Sequence, residues 1–244
     1  MNIGAWVGAA LVGLLATGGA ALAIDGGALA RPGDALARAA VGLGTIGEGE
    51  GGLGLTRCSG VLIAPDLVLT ADHCVRNDPR AALVAFYRGS RPVPPFYPVR
   101  AIARFGVSGD EIPAEFLDPL RELSLDTAVL RLAAPVPGRT PLRLAAFRRD
   151  RLPSSLRLAG VGLSREGAGT LKTVALRPVI FSDTGLTIAK TDGARICSGD
   201  SGGPVIAQTR SGPVLWGVAS AILTRTPPCG TTVVIAPPNR ALGR

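Results

Sequence analysis

One short segment late in the chain concentrates the features of a nucleophilic serine. It reads Cys197-Ser198-Gly199-Asp200-Ser201-Gly202-Gly203-Pro204. The glycines around Ser201 allow the backbone to turn tightly, so that two N–H groups can point to one place, as an oxyanion hole requires. A serine hydroxyl is nevertheless a weak nucleophile until a base removes its proton. The segment therefore predicts a catalytic serine and requires a base elsewhere in the chain.

The base can only be His73, because the chain contains a single histidine. This residue lies in a second segment, Leu69-Thr70-Ala71-Asp72-His73-Cys74. An imidazole that acts as a base needs a buried carboxylate, which fixes its tautomer and stabilises the imidazolium. Asp126 is the candidate, since it precedes the apolar run 128–132. The three residues thus occur along the chain in the order His, Asp, Ser.

These three segments resemble the chymotrypsin/trypsin family of serine proteases, in which the catalytic residues follow the same order. The resemblance covers residues 24–235. It implies an all-β fold of two six-stranded antiparallel Greek-key β-barrels, with the active site in the cleft between them. It also implies a reaction through an acyl-enzyme that needs no cofactor and no metal.

The resemblance gives each matching residue a role. His73 would act as general base and acid, Asp126 would orient it, and Ser201 would attack the carbonyl carbon. The backbone N–H groups of Gly199 and Ser201 would hold the oxyanion. Ser220 would support Asp126 and line the site for the substrate strand.

Four cysteines, at positions 58, 74, 197 and 229, include no closely spaced pair of the kind that binds zinc. They allow three disulfide pairings. The resemblance selects Cys58 with Cys74, which closes the loop that carries the histidine, and Cys197 with Cys229, beside the primary specificity pocket.

The first 23 residues carry no charged side chain and end in Ala21-Leu22-Ala23, which is typical of a signal-peptidase site. We expect cleavage there, although the run is just long enough to remain as an anchor. In the family that the chain resembles, a freed N-terminal isoleucine inserts its ammonium group beside the aspartate that precedes the serine. Here that pair would be Ile24 and Asp200, so signal cleavage itself would activate the enzyme.

Between turn signals rich in glycine and proline, the mature chain consists of short apolar runs. Five of these runs have the length and composition of β-strands and are predicted as such: 60–63, 67–70, 128–132, 214–218 and 232–235. The one helical candidate lies around residues 114–122. A proline-rich linker at 134–138 divides the peptidase domain, residues 24–244, into barrels expected at 24–137 and 138–244.

The net charge of +8 comes from 26 Lys and Arg against 18 Asp and Glu, with the arginines scattered along the chain. Scattered charge favours a solvated surface over a nucleic-acid site, so no nucleic-acid partner is expected. A basic surface that binds polyanions remains an alternative, and it predicts salt-dependent retention on heparin. The single histidine excludes any site that needs two imidazoles.

Several positions depart from the family pattern. Arg195 stands at the base of the specificity pocket: a buried guanidinium would favour acidic substrate side chains, whereas one folded toward Asp192 would leave a small apolar pocket. Ala221 stands where an aromatic residue usually walls the pocket, and Ile222 should narrow its entrance. Asp72 replaces a small residue, and either favours the protonated imidazole or faces outward.

The sequence therefore predicts a secreted or periplasmic serine endopeptidase that acts on peptides or proteins. It is expected to be a monomer with no stable membrane span after signal cleavage. The alternative is a catalytically inactive, protease-like binding protein. That alternative is disfavoured because such proteins usually lose a triad residue, and this chain keeps all three.

Overall fold

The structure is a computed structural model that describes residues 23–49, 52–106, 119–145, 152–164, 167–225 and 227–238. Residues 1–22 of the expected signal segment and 114–118 of the expected helix lie outside the described residues.

Six antiparallel strands form the first barrel, and all of them precede residue 133. They are β2 (Ala40–Gly49), β3 (Gly52–Ala64), β4 (Leu67–Thr70), β5 (Ala81–Arg88), β6 (Arg91–Arg104) and β7 (Ala128–Leu132). Their order around the barrel is β2-β3-β4-β7-β6-β5, and β5 pairs with β2 to close it. Closure leaves no unpaired strand edge.

A second set of six antiparallel strands forms the other barrel. They are β8 (Leu156–Gly160), β11 (Lys172–Phe181), β12 (Thr187–Lys190), β14 (Pro204–Thr209), β15 (Gly212–Leu223) and β17 (Thr232–Ala236). Their order is β11-β12-β17-β15-β14-β8, and β8 pairs with β11 to close the ring. The short β1 (Ala28–Leu29) adds to the outside of β11. The two closed six-stranded barrels confirm the fold that the resemblance implied.

Short strand pairs complete the sheet structure. They are β9 (Leu163–Ser164) with β10 (Gly167–Ala168), and β13 (Ile196–Cys197) with β16 (Cys229–Gly230). All five runs predicted as strands lie within β3, β4, β7, β15 and β17.

The helices are few and short. α1 (Ala35–Ala39) begins after Asp34, whose carboxylate accepts a hydrogen bond of 3.0 Å from the N–H of Leu36. Five residues are too few to give a helical periodicity in the sequence, so α1 was not predicted. α2 (Pro119–Leu125) ends three residues later than the predicted helix and leads directly to Asp126.

Apolar side chains fill each barrel and also the contact between the two. The contact cluster contains Leu69 and Val129 of the first barrel together with Ile206 and Val218 of the second. Because this layer consists of packed, buried apolar side chains, it holds the barrels at a fixed separation. The strand ends beside the contact then face one another across a cleft.

Candidate active site

His73 and Asp126 come from neighbouring strand ends of the first barrel. A 3₁₀ turn, Asp72–Cys74, follows β4, while Asp126 precedes β7, which pairs with β4. His73 Nδ1 lies 2.9 Å from Asp126 Oδ2, and the backbone N–H of His73 donates to Oδ1 at 3.0 Å. One carboxylate therefore fixes both the ring and its backbone. The contact at Nδ1 leaves Nε2 available to accept a proton.

The second barrel supplies the third partner of this carboxylate. The hydroxyl of Ser220 donates to Asp126 Oδ2 at 2.5 Å. Burial by itself raises the pKa of Asp126, but the hydrogen bonds from His73 and Ser220 and the charge of His73 outweigh it. The pKa therefore lies below the ordinary value, so the carboxylate stays ionised wherever a neutral imidazole could act as a base.

The loop that carries Ser201 runs between β13 and β14 as a series of tight turns. Gly199 has a φ of +91°, a left-handed conformation that favours glycine. At Gly202 any side chain would collide with the carbonyl oxygen of Ser59. These two glycines explain the sequence around Ser201, because larger residues would force the loop away from the first barrel.

Ser59 on β3 holds this loop from the first barrel. Its N–H donates to the Ser201 carbonyl at 2.7 Å, and its hydroxyl donates to the Gly199 carbonyl at 2.9 Å. The same hydroxyl accepts a hydrogen bond of 2.9 Å from the N–H of Val161. Sequence reasoning missed Ser59, because its contacts with the loop span about 140 residues and leave no signal in local spacing.

A cleft of about 420 Å³ opens beside the imidazole and is lined by His73, Asp126, Ser220, Ala221, Glu122 and Leu123, among others. Ser201 lies next to the turn that carries His73, since the Sγ of Cys74 is 3.9 Å from the Ser201 carbonyl oxygen. Within the described residues, no hydrogen bond joins the Ser201 hydroxyl to the imidazole. Such bonds are often long in an unliganded enzyme and tighten with substrate.

Both disulfides form with the pairing that the resemblance selected, Cys58 with Cys74 and Cys197 with Cys229. The first closes a loop of 16 residues around the catalytic turn, which stabilises the fold by about 3 kcal/mol in the chain-entropy model. Its two sulfur atoms lie within 4.8 Å of a ring nitrogen of His73. This group is no metal site, because disulfide sulfurs are not thiolates.

Asp200 lies fully buried beneath the serine loop and accepts three backbone hydrogen bonds. The donors are the N–H groups of Ile24 at 3.2 Å, Cys197 at 2.9 Å and Gly162 at 3.0 Å. Burial raises the pKa of Asp200 to about 6, although these hydrogen bonds and the charge of Lys172 act in the opposite direction. Ile24 is completely buried, and here its nitrogen is still part of the peptide bond to Ala23.

Comparison with known proteins identifies the family. The trypsin family model matches residues 26–237, which is most of the chain. The chain belongs to the trypsin family. It is therefore a serine endopeptidase, a hydrolase whose substrates are peptides or proteins.

Relatives of known name agree with this family. Kallikrein-1E2 of Equus caballus is 28% identical over 201 residues, which cover 66% of this chain and 70% of the kallikrein. Among solved structures, HL collagenase superposes with a TM-score of 0.66 at 20% identity, covering 88% of this chain and 93% of its own. The scabies mite inactivated protease paralogue S-D1 gives 0.60 at 19% identity, covering 88% and 92%. At these identities the two structures establish the fold alone.

Trypsin-family proteases with disulfides are typically extracellular. Between Ala23 and residue 238, no helix of the described ranges is long and apolar enough to cross a membrane.

Arg195 lies in the second barrel, just before β13. Its backbone pairs with Asp25 through two hydrogen bonds of 2.7 Å, next to the inserted Ile24. Its guanidinium is partly buried and reaches the carbonyl oxygen of Cys229 at 3.5 Å. Both Arg195 and Asp192 are described, and no ion pair joins them. The guanidinium thus contacts the backbone of Cys229 and does not pair with Asp192.

Ile222 and Ala221 follow Ser220 on β15 and are both partly exposed. The side chain of Ile222 fills the space beside Gly230, where any side chain would collide with it. Ala221 lines the cleft next to Ser220. Ile222 thus takes up space between β15 and Gly230 of β16.

Asp72 corrects one expectation. Its carboxylate does not face outward: it is fully buried, and Arg104 of β6 pairs with it at 3.0 Å. The sequence could not anticipate this, because the partner lies 32 residues further along the chain.

Proposed function

We propose that this trypsin-family protein cleaves peptide bonds with Ser201 as nucleophile, His73 as general base and acid, and Asp126 as the residue that orients His73. One observation carries the proposal. The Asp126 carboxylate binds both the ring and the backbone nitrogen of His73, beside the glycine-rich loop of Ser201. That arrangement leaves the other ring nitrogen, Nε2, available to accept the proton of the nucleophile.

The reaction follows from these positions. The Ser201 hydroxyl attacks the scissile carbonyl carbon while its proton passes to His73 Nε2. The tetrahedral intermediate collapses as His73 returns that proton to the leaving amine, which departs and leaves an ester on Ser201. Water then attacks the ester while His73 takes its proton; the bond between the acyl carbon and Ser201 Oγ breaks, His73 passes the proton to Oγ, and the carboxylate product leaves.

The N–H groups of Gly199 and Ser201 stabilise the oxyanion. Preorganised donors of this kind contribute about 10²–10³-fold each in kcat. The proposal is supported by the left-handed Gly199 and by the two hydrogen bonds through which Ser59 fixes the carbonyls of Gly199 and Ser201.

Activation depends on the amine of Ile24, which is freed when residues 1–23 are removed as a signal peptide. The peptide nitrogen of Ile24 already lies 3.2 Å from Asp200. Cleavage replaces its neutral N–H by an ammonium group, which neutralises a buried carboxylate. The pairing raises the amine's pKa above its free value of about 7.7–8.0, so activity should fall only at alkaline pH.

The two barrels, proposed at residues 24–137 and 138–244, then act as one exported, monomeric peptidase, in which Ile24 and β1 cross over to pack on the second barrel. An oxidising compartment supports both disulfides, whether outside the cell or in a periplasm.

The preferred side chain on the amino side of the cleaved bond is acidic, with a small apolar side chain as the second choice. The guanidinium of Arg195 contacts the Cys229 carbonyl and forms no ion pair with the described Asp192, so its charge favours an anionic ligand. Ile222 restricts the space, which disfavours large aromatic side chains. An aspartate or glutamate meets both conditions.

The proposal is tested by profiling hydrolysis of a peptide library by the protein that begins at Ile24. Ser201→Ala and His73→Ala serve as matched variants, and cleavage must disappear in both. Cleavage that persists in Ser201→Ala would contradict the proposed nucleophile. A folded protein that cleaves no peptide would favour the binding-protein alternative.

A further inference from the structure

The carboxylate of Asp72 is buried beside the catalytic histidine, and the proposed reaction does not use it. Asp72 opens the 3₁₀ turn, directly precedes His73, and has no exposed surface. Its neighbour Gly106 leaves room for it, because any side chain there would collide with the carboxylate. A buried charge is costly unless it is paired and hydrogen-bonded.

Arg104 provides the pairing through two parallel contacts. Its Nε donates to Asp72 Oδ1 at 3.0 Å, and its Nη2 donates to Oδ2 at 3.2 Å. The remaining Nη1 donates to the carbonyl oxygen of Arg76 at 3.1 Å, beyond the catalytic turn. The Nε of Arg76 adds a longer ion pair at 3.6 Å. Such two-pronged contacts fix geometry as well as charge.

The position of Arg104 connects the two segments that supply His73 and Asp126. Arg104 is the last residue of β6 and pairs with Ala128, the first residue of β7. The N–H of Phe105 then donates to the carbonyl oxygen of Thr127, one residue after Asp126, at 3.0 Å. One guanidinium therefore ties the histidine turn to the strand pair that follows the catalytic aspartate.

We propose that the ion pair between Asp72 and Arg104 is a positioning device for His73, which fixes its turn and cancels the charge of Asp72 at the imidazole. The inference deepens the proposed function and rests on His73 as the catalytic base. Asp72 and Arg104 are positioning residues, since neither lines the cleft beside the reacting atoms.

Each charge of the ion pair should affect the protonation of His73 in a definite direction. Among the described residues, the charged groups near the imidazole are Asp72 of its own turn, Arg76 just after that turn, Arg104 of β6, Glu122 of α2 and Asp126 before β7. With Arg104 neutralised, the charge of Asp72 is left with only Arg76 and favours the imidazolium. With Asp72 neutralised, the charge of Arg104 disfavours it. The two single substitutions must therefore act in opposite directions.

The test compares Arg104→Gln, Asp72→Asn and the double variant, all starting at Ile24. We expect the acid limb of the kcat/KM profile to move to higher pH in Arg104→Gln and to lower pH in Asp72→Asn, each by about half a pH unit. The double variant should return to the original limb. All three should lose kcat, by about tenfold or more, with little change in KM, because the turn is less well fixed.

Two further variants separate charge from folding. Arg104→Lys keeps the charge but not the two-pronged contact, so kcat should fall while the limb stays in place. Arg131→Gln breaks a pair with Asp66 in the same barrel, 3.3 Å long, and should change neither quantity. If Arg104→Gln does not fold, Asp72→Asn and Arg104→Lys provide the test, and a limb that does not move in Asp72→Asn overturns the proposal.

Because the chain has one histidine, NMR titration of the imidazole follows the same charge effect without any substrate. Opposite displacements of its titration midpoint in Arg104→Gln and Asp72→Asn support the proposed effect of the ion pair on His73. If these displacements occur but the protein cleaves no peptide, only the proposed function fails. Displacements of the same sign, or none, overturn the proposed role of the ion pair and leave the triad standing.

Discussion

The backbone nitrogen of Ile24 lies 3.2 Å from Oδ2 of Asp200 in the interior of the second barrel, although Ile24 is still joined to Ala23. The position that we propose for an N-terminal ammonium group is thus already taken by the peptide nitrogen of Ile24, and Asp200 also accepts hydrogen bonds from the N–H groups of Cys197 and Gly162. What the uncleaved chain lacks there is the positive charge of a free amine.

A protein that begins at Ile24 should be active, whereas one that keeps Leu22 and Ala23 should lose at least about 100-fold in kcat/KM. The reason is that a buried carboxylate without its counter-charge costs several kcal/mol. Hydrolysis of one peptide substrate by both forms measures the difference, with Ser201→Ala as the background. Equal activity of the two forms would rule out activation by the freed amine.

The same pair should appear in the pH dependence of stability. In the uncleaved chain, burial raises the pKa of Asp200 from 3.8 to about 6. The contribution of Asp200 to the free energy of unfolding is therefore fully present below pH 3.8 and is lost as the pH rises through about 6. Between these limits the free energy of unfolding falls by about 3 kcal/mol. The ammonium of the cleaved form lowers that pKa, so the cleaved form should lose less stability as the pH rises.

Thermal unfolding of the two forms between pH 4 and pH 8 measures this effect. The Tm of the cleaved form should increasingly exceed that of the uncleaved form as the pH rises to about 6. The difference should then stay constant until the amine of Ile24 loses its proton. Asp200→Asn in the uncleaved form should remove most of that pH dependence. A difference in Tm that does not change with pH would speak against the titration of Asp200.

Ser59→Ala should lower kcat by about 10–100-fold and leave KM nearly unchanged, since the variant loses the partly buried hydrogen bond that fixes the Gly199 carbonyl. The affinity for a peptide boronic acid, which places an oxygen in the oxyanion hole, should fall in parallel. Thr187→Val is the control, because it removes a buried hydrogen bond from Trp216 elsewhere in the second barrel. It should lower Tm without changing kcat. An unchanged boronic-acid affinity in Ser59→Ala would separate Ser59 from the oxyanion loop.

Arg195→Ser should abolish the preference for acidic side chains. We expect kcat/KM for aspartate or glutamate substrates to fall by about 100-fold, the usual effect of losing a hydrogen-bonded ion pair. Substrates with small apolar side chains should change little. Asp192→Asn is the control and should leave the preference intact, because no ion pair joins Asp192 to Arg195 in the described part of the chain. Loss of acidic preference in the control alone would mean that Arg195 is not the determinant.

The all-β class could be predicted from the sequence because its signals are local: turn residues separate short apolar runs. The arrangement in two barrels was implied only by the family resemblance that the segments around His73 and Ser201 carry. The short α1 and the end of α2 could not be predicted, since five to seven residues carry too little periodicity.

Candidate site residues could be predicted only where they lie in short, recognisable sequence motifs. Ser59 and Arg104 could not be found, since each acts on a partner that is distant in sequence and adjacent only after both strands have paired. Asp72 illustrates the same limit: its residue type marked it as unusual, but its orientation depends on a guanidinium that β6 brings to it.

The most direct test of the catalytic account is to label the protein that begins at Ile24 with a fluorophosphonate and locate the adduct by peptide mass spectrometry. The account predicts one phosphonyl group per molecule, attached to Ser201, with labelling abolished in Ser201→Ala and strongly slowed in His73→Ala. A folded protein that takes up no label, or that is labelled equally fast without His73, would contradict it.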